Sequence, residues 1–214
     1  MKPLRIALTK GRLEKHIVKM LENAGLDCNE LINKGRKLIL YIPDINLEVI
    51  LAKANDVITY VEHGVCDMGI VGKDTILECG TSFYEILDLN FGKCRFALAG
   101  KKGYNFYSGY NVKKIATKYP NVTKNYFSSK NMDIEIIKID GSVELAPLLE
   151  LSDAIVDIVE TGSTLKENGL EVYETICEIS ARLIVNIASI KTRKDEIYKF
   201  VDLLREQVNK ENGN

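Results

Sequence analysis

The stretch from residue 153 to residue 164 holds side chains whose types and spacing suit the binding of a sugar phosphate. A run of apolar residues carries an acid at Asp157, ends at Glu160 and passes into a turn around Gly162. The turn contributes the hydroxyl groups of Thr161, Ser163 and Thr164. Amides and hydroxyls at the start of a helix can converge on one phosphate. The two acids suit sugar hydroxyls, so the stretch predicts a site for a ribose 5-phosphate group.

The same residues also fit an ordinary strand, turn and short helix, in which a threonine caps the helix. A threonine–glycine–x–threonine pattern alone does not separate the two interpretations. The spacing of Asp157 and Glu160 before the turn favours the binding site.

Cations and glycines mark three further candidate positions. Lys10, Gly11 and Arg12 follow the first predicted strand and open the first helix. Cations there oppose the helix dipole at a cost of about 0.3–1 kcal/mol each, which a bound polyanion would reverse. The alternative is a solvated pair of side chains in a loop.

A second candidate surrounds Asp67 and Gly69, where glycines on both sides of a short strand would let a ligand approach the backbone. A tight turn between strand and helix explains the glycines equally well. Lys93 and Arg95 add positive charge farther along the chain. Near residue 141, Ser142 can cap a helix that has Glu144 in its first turn, and capping alone accounts for both residues.

Composition excludes several classes of function. The chain has 214 residues, of which 46% are hydrophobic and 28% charged, and its formal net charge is −1. A nucleic-acid or membrane-surface binder would need a basic face. No apolar run approaches the ~20 residues of a membrane span, and the first residues do not resemble a signal peptide, so we expect a cytoplasmic protein.

Cysteines and histidines offer little chemistry. The five cysteines are scattered without a paired motif, which is typical of reduced thiols packed as small hydrophobic groups. His16 and His63 are the only histidines, which excludes a histidine-rich metal site and disfavours a serine–histidine–aspartate triad. We expect surface or helix-end roles for both.

The order of predicted elements positions these residues. Strands are predicted at residues 4–8, 38–42, 47–51, 68–71, 84–89, 94–99, 134–139 and 154–159, with helical segments between many of them. Strands alternating with helices predict an α/β fold with mostly parallel sheets. The last segment, residues 192–210, has apolar residues at helical spacing and predicts one helix packed on the body.

Six of these segments, in order, resemble the ATP phosphoribosyltransferases that begin histidine biosynthesis. The matching blocks are residues 6–13, 61–72, 88–95, 115–120, 141–147 and 153–164. Two positions depart from the family pattern: Thr9 stands where the family usually has proline, and Asn90 where it usually has glycine. Neither side chain is needed for the chemistry.

The resemblance implies a type II periplasmic-binding-protein-like fold with two α/β lobes and the active site in the cleft between them. Residues 1–90 with 181–214 would form the first lobe, and residues 91–180 the second. The chain stops where longer members carry a regulatory domain, so it resembles the short form. Short forms work with a separate subunit similar to histidyl-tRNA synthetase, and a homodimer is an alternative assembly of the chain alone.

The implied reaction joins N1 of the adenine of ATP to C1 of phosphoribosyl pyrophosphate, with release of pyrophosphate and with Mg²⁺ held by the substrate phosphates. The implied catalytic residues are Lys10, Arg12, Glu144 and Asp157. The implied phosphoribosyl pyrophosphate site comprises Glu144, Asp157, Glu160, Thr161, Gly162, Ser163 and Thr164. The implied ATP site comprises Lys10, Gly11, Arg12, Asp67, Gly69, Lys93 and Arg95.

Other classes of protein share parts of this pattern. A solute-binding module would need an export signal or a lipid anchor, and a ligand-sensing regulator would carry a DNA-binding segment. A type I phosphoribosyltransferase usually has two adjacent acids before its phosphate turn, whereas Asp157 has no acidic neighbour.

Overall fold

The computed structural model describes residues 2–80 and 82–213, and of Asn212 it describes only the backbone. The chain forms two compact units, one made of Met1–Gly92 with Ser180–Asn214 and the other of Lys93–Ile179. Each unit is built around its own sheet. In the part of the chain that the structure describes, none of the helices is both long and apolar enough to cross a membrane.

The first unit has a six-stranded sheet in the order β2-β3-β1-β4-β11-β5. Its elements are β1 (Leu4–Thr9), α1 (Arg12–Asn23), α2 (Asn29–Ile32), β2 (Ile39–Ile42), a 3-10 turn (Pro43–Ile45), β3 (Leu47–Ala52), α3 (Ala54–Glu62), β4 (Met68–Gly72), α4 (Lys73–Cys79), β5 (Phe83–Asp88), β11 (Ala181–Asn186), α8 (Ser189–Thr192) and α9 (Lys194–Asn212). Side chains alternate along β1, so this strand contributes apolar residues to both faces of the sheet. Ile6 and Leu8 pack in the core formed with α1 and α9, whereas Ala7 packs in the core formed with α3.

The second unit has a five-stranded sheet in the order β10-β6-β9-β7-β8. Its elements are β6 (Cys94–Lys101), β7 (Lys113–Thr117), α5 (Pro120–Ser129), β8 (Ile134–Lys138), α6 (Leu145–Leu148), β9 (Ala154–Val159), α7 (Ser163–Glu167) and β10 (Leu170–Ile179). The central strand β9 pairs antiparallel with β6 and parallel with β7. Ile155 and Val159 on β9 pack with Ala146 of α6 and Leu165 of α7.

The predicted α/β class with two mixed sheets is confirmed, but parallel pairing is less extensive than predicted. Parallel pairs join β1 to β3 and β4, and join β7 to β8 and β9, while the remaining pairs are antiparallel. Three strands were missed: β7, β10 and β11. Two register shifts in β10 break the alternation of its side chains, and β7 begins with two lysines, of which Lys113 is buried.

The C-terminal helix was predicted to be continuous, and this was wrong at its start. α8 ends at Thr192 and α9 begins at Lys194, because Arg193 leaves the helical conformation with φ −130°. In this conformation the Arg193 guanidinium donates to Asp67, at 3.1 Å, and to both carboxylate oxygens of Glu196. It also donates to the carbonyls of Lys2 and Pro3, so it fixes the beginning of the chain against this helix.

The histidines and cysteines have structural contacts, although His16 is half-buried in α1 rather than at a helix end. His16 stacks on Phe91 with ring centroids 3.9 Å apart, and His63 follows the last residue of α3. All five cysteines are free thiols. Burial raises the pKa of the Cys28 and Cys66 thiols to about 11, so both are protonated and unreactive near neutral pH.

Candidate functional site

A cavity of about 320 Å³ lies at the carboxyl end of β9. Its lining consists of Glu144, Asp157, Ile158, Val159, Glu160, Thr161, Gly162, Ser163, Thr164 and Leu165. The structure therefore brings together all seven residues predicted to bind phosphoribosyl pyrophosphate. Ligands of α/β proteins generally bind at the carboxyl ends of strands, which is where this cavity lies.

Asp157 is held in the interior of the sheet. It lies opposite Ala97 of β6, between Ile155 and Val159 on one face of β9. Burial raises the pKa of the Asp157 carboxyl group above its usual value, and the nearby Glu144 raises it further. A hydrogen bond of 2.8 Å from the Ile158 amide to Asp157 Oδ1 opposes this shift, and so does the charge of Lys118. The carboxylate is thus held at an energetic cost beside the cavity.

Glu144 approaches the cavity from the segment before α6. The prediction that the helix has already begun at Glu144 was wrong, since α6 starts at Leu145 and Glu144 occupies the position just before it. Ser142 accepts a backbone hydrogen bond of 3.2 Å from Leu145 through its carbonyl. Within the described residues, the Glu144 side chain makes no capping hydrogen bond to α6. Helix capping therefore does not explain this half-buried carboxylate.

The turn after β9 depends on a glycine. Gly162 has φ 79° and ψ 6°, a left-handed conformation that other residues adopt only with strain. It directly precedes α7, whose first amides have no acceptor within the helix. Thr161 Oγ1 and Ser163 Oγ are 3.0 Å apart, so their hydroxyls lie together at the exposed tip of the turn. Hydroxyls and helix-start amides are the donors that a phosphate group requires.

Lys118 was not among the predicted site residues, although it lies in the matching block at residues 115–120. It directly follows β7, which pairs in parallel with β9 through Thr117 and Val156. Lys118 is exposed, and its charge acts on Asp157. Only the pairing of these two strands brings the residues together, so no local sequence pattern identifies Lys118.

The predicted phosphate-binding residues near the N-terminus lie in the other unit. Lys10 and Arg12 are exposed at the junction of β1 and α1. Gly11 between them has φ 102°, and its amide donates to Glu14 Oε2 at 3.1 Å. Glu14 is buried and paired with Lys34, so the junction has a fixed backbone that carries two exposed cations.

Two of the predicted ATP-binding residues have structural contacts in the first unit. Asp67 Oδ2 accepts from the Arg5 amide at 2.9 Å and from Arg193 at 3.1 Å, and its Oδ1 accepts from Ser189 at 2.8 Å. A Cβ at Gly69 would lie 2.8 Å from side-chain atoms of α3, so this glycine allows β4 and α3 to pack closely. These contacts account for both residues without a ligand.

The last two predicted cations begin the second unit. Lys93 is exposed just before β6. Arg95 lies opposite Val159 of β9, on the same face as Asp157 because strand side chains alternate. The structure therefore places Arg95 at the same end of the sheet as the cavity.

Comparisons with known proteins agree on one family. The family model described as ATP phosphoribosyltransferase matches residues 53–206. An ATP phosphoribosyltransferase of Clostridium kluyveri is 65% identical over 206 residues, which cover 96% of this chain and 94% of that protein. One from Clostridium acetobutylicum is 59% identical over 210 residues, which cover 98% of each chain.

A solved structure is similar over nearly the whole chain. It is described as the ATP phosphoribosyl transferase (HisG:HisZ) complex from Thermotoga maritima, and its matching chain has a TM-score of 0.81 and 38% sequence identity. The match covers 96% of this chain and 98% of that chain.

The raised pKa of Asp157 predicts a stability effect with a definite sign. The native state binds a proton at Asp157 more tightly than the unfolded chain does, so ionisation of this carboxyl group destabilises the fold. Asp157→Asn should therefore have a higher free energy of unfolding than the wild type near neutral pH. The gain should shrink as the pH falls and disappear below the unfolded-state pKa of about 3.9.

Urea unfolding between pH 4.5 and 8 measures this difference. Asp133→Asn, which neutralises an exposed aspartate of the same unit, is the matched control and should show little change. A less stable Asp157→Asn protein at neutral pH would contradict the burial cost assigned to this carboxylate.

Proposed function

This chain belongs to the ATP phosphoribosyltransferase family, and we propose that the cavity at the carboxyl end of β9 binds the phosphoribosyl group in its reaction. The comparisons confirm the family inferred from the six sequence blocks. The protein catalyses the first step of histidine biosynthesis, in which adenine N1 of ATP displaces pyrophosphate from C1 of phosphoribosyl pyrophosphate.

The observation that supports this assignment most strongly is the distribution of donors and acceptors around the cavity. The turn at residues 161–164 offers amides and hydroxyls, whereas Asp157 and Glu144 offer carboxylate oxygens. The oxygens of an ionised phosphate group only accept hydrogen bonds, whereas ribose hydroxyls can also donate them. The 5-phosphate therefore belongs at the turn and the ribose hydroxyls at the carboxylates.

This orientation suits the chemistry. Displacement at an anomeric carbon develops positive charge on the ribose ring, and the nearby carboxylates of Asp157 and Glu144 stabilise that charge. Because these groups are held by the sheet and by the segment before α6, they need little reorganisation during the reaction. No covalent nucleophile is needed, and adenine N1 is unprotonated near neutral pH, so the attacking atom needs no general base.

We assign the phosphates of ATP and pyrophosphate to Lys10 and Arg12. Both cations are exposed at the start of a 12-residue helix, where a bound polyanion would offset their unfavourable position in the helix dipole. Arg95 could add charge at the carboxyl end of β9. These assignments follow the family resemblance, and the positions of the cations support them.

We propose that Mg²⁺ enters the reaction bound to the substrate phosphates. Among residues 2–80 and 82–213, no group of three or more His, Cys, Asp or Glu side chains is placed to hold a metal ion. Mg²⁺ commonly keeps several waters and binds substrate phosphates rather than a protein cage. When bound, it would neutralise charge on the diphosphate leaving group.

A second type of subunit is also part of the proposal. The similar Thermotoga maritima structure is a HisG:HisZ complex, which supports a HisZ-like partner for this chain. We place the reaction in the cytoplasm, since five free thiols suit a reducing compartment.

Substitution of Gly162 tests the phosphate turn. Valine at φ 79° costs about 1–3 kcal/mol of backbone strain and displaces the turn amides, so Gly162→Val should bind phosphoribosyl pyrophosphate about tenfold more weakly or worse. Isothermal titration calorimetry with phosphoribosyl pyrophosphate and Mg²⁺ measures the change.

Gly169→Val provides the matched control for strain. Gly169 has φ 69° just beyond the other end of α7 and lies outside the cavity lining. The control should lose comparable stability but keep its affinity. Normal affinity in a folded Gly162→Val protein, or equal losses in both variants, would refute the assignment of the turn.

Removal of the carboxylate charges tests the ribose contacts. Hydrogen bonds to charged groups contribute about 1.5–3 kcal/mol, so Asp157→Asn and Glu144→Gln should each lower kcat/KM for phosphoribosyl pyrophosphate by about tenfold or more. Steady-state kinetics with varied phosphoribosyl pyrophosphate provides the measurement. Glu150→Gln, at an exposed acid beyond α6, should retain wild-type kcat/KM, and a similar result for the two cavity variants would argue against a role in ribose binding.

Addition of a HisZ-type subunit tests the proposed partner. We expect the subunit to form a complex with this chain and to raise the rate of phosphoribosyl-ATP formation. We also expect histidine to inhibit the complex but not the chain alone, because feedback would arise from binding to the second subunit. Saturable histidine binding and inhibition without a partner would contradict this proposal.

A further inference from the structure

We propose that Lys118 is a positioning residue of the phosphoribosyl pyrophosphate site, whose ammonium group stabilises the Asp157 carboxylate and keeps it available to the ribose hydroxyls. This inference rests on the proposed function of the cavity. Lys118 lies in the sequence block at residues 115–120, and the proposed reaction assigns no role to this block.

Strand pairing brings the segments that carry Lys118 and Asp157 together. Ala116 pairs with Ile155, and Thr117 with Val156, and Lys118 and Asp157 are the next residue on each chain after this last pair. Adjacent strands lie about 4.8 Å apart. Thr117 fixes this end of β7, since its Oγ1 donates to the Val156 carbonyl at 2.7 Å and accepts from the Tyr119 amide at 2.9 Å.

Asp157 faces the side of the sheet on which the cavity lies. Ala116 and Ile155 both belong to the core formed with α6 and α7, and Asp157, two residues after Ile155 on β9, is on the same side and lines the cavity. Lys118 leaves the end of β7 next to this position, and its charge acts on Asp157. Lys118 is exposed there, so it adds charge without being buried itself.

Charged groups near Asp157 come from several neighbouring elements. Glu144 approaches from the segment before α6, Glu160 directly follows β9, and Arg95 lies on β6 opposite Val159. Lys118 comes from β7, the strand on the other side. Asp157 and Glu144 repel each other, whereas Lys118 favours the ionised form of Asp157.

This balance has a functional consequence. A carboxylate that becomes protonated loses charge and one acceptor site, and it then binds a ribose hydroxyl less well. Without Lys118, the Asp157 carboxyl group should hold its proton to a higher pH. The acid limb of the activity profile should then move toward neutral pH, because kcat/KM reports the ionisation of the free enzyme.

Three variants separate this role from a general effect of surface charge. Lys118→Met removes the ammonium group, Lys118→Arg retains a positive charge, and Lys114→Met removes an exposed lysine from the opposite end of β7. We expect Lys118→Met to lower kcat/KM for phosphoribosyl pyrophosphate by about fivefold to tenfold at pH 7. Added salt should reduce this difference, because it screens the charge of Lys118 in the wild type. Lys118→Arg should recover most of this loss, and Lys114→Met should stay within about twofold of the wild type.

The pH profile of kcat/KM from pH 5 to 9 is the deciding measurement. An acid limb displaced to higher pH in Lys118→Met, but not in Lys114→Met, supports the proposal. An unmoved limb overturns it, whatever the loss of activity at neutral pH. If Asp157→Asn and Glu144→Gln are impaired while the limb of Lys118→Met is unmoved, only this inference fails; if those two variants are fully active, the proposed ribose site fails with it.

Discussion

The Asp157 carboxylate occupies a position where burial makes a negative charge costly, and the neighbouring strands, turn and charged groups of the second unit are arranged around it. The residue lies on a central strand between Ile155 and Val159, with burial and Glu144 both raising its pKa. A fold selected only for stability would place an apolar or amide side chain here. An acid held at such a cost is a candidate functional group, and the ribose site that we propose would supply hydrogen-bond donors to it.

The sheet supplies the precision that such a site needs. β9 is held by β6 on one side and β7 on the other, so Asp157 cannot shift without disrupting either pairing. The turn at Gly162 follows directly, which fixes the distance between Asp157 and the amides and hydroxyls that we propose bind the phosphate. Glu144 is fixed independently, because Ala146 and Pro147 of α6 are buried against this unit. Rigid strands and a short turn thus define the site.

Local patterns predicted what is local in the structure. Residues 153–164 read correctly as a strand, a glycine turn and a helix start because all of their determinants are contiguous. Lys118 was missed because its proximity to Asp157 arises only from strand pairing. The contact of Asp67 with Arg193 could not be predicted, because the two residues are 126 positions apart in sequence. For Gly69 the sequence left a ligand approach and a tight turn open, and the close packing of α3 against it is a contact that a glycine alone cannot reveal. Strand β10 was missed because two register shifts break the alternation of its side chains.

The most direct test of the central claim is to locate the bound phosphoribosyl group in solution. Titration of the ¹⁵N-labelled chain with ribose 5-phosphate, which contains the phosphate and ribose but cannot react, reports binding at each backbone amide. The account predicts saturable shifts at residues 161–165 and at Ile158, whose amide hydrogen-bonds to Asp157. Saturable shifts confined to other parts of the chain, with the amides of the Gly162 turn unchanged, would contradict it.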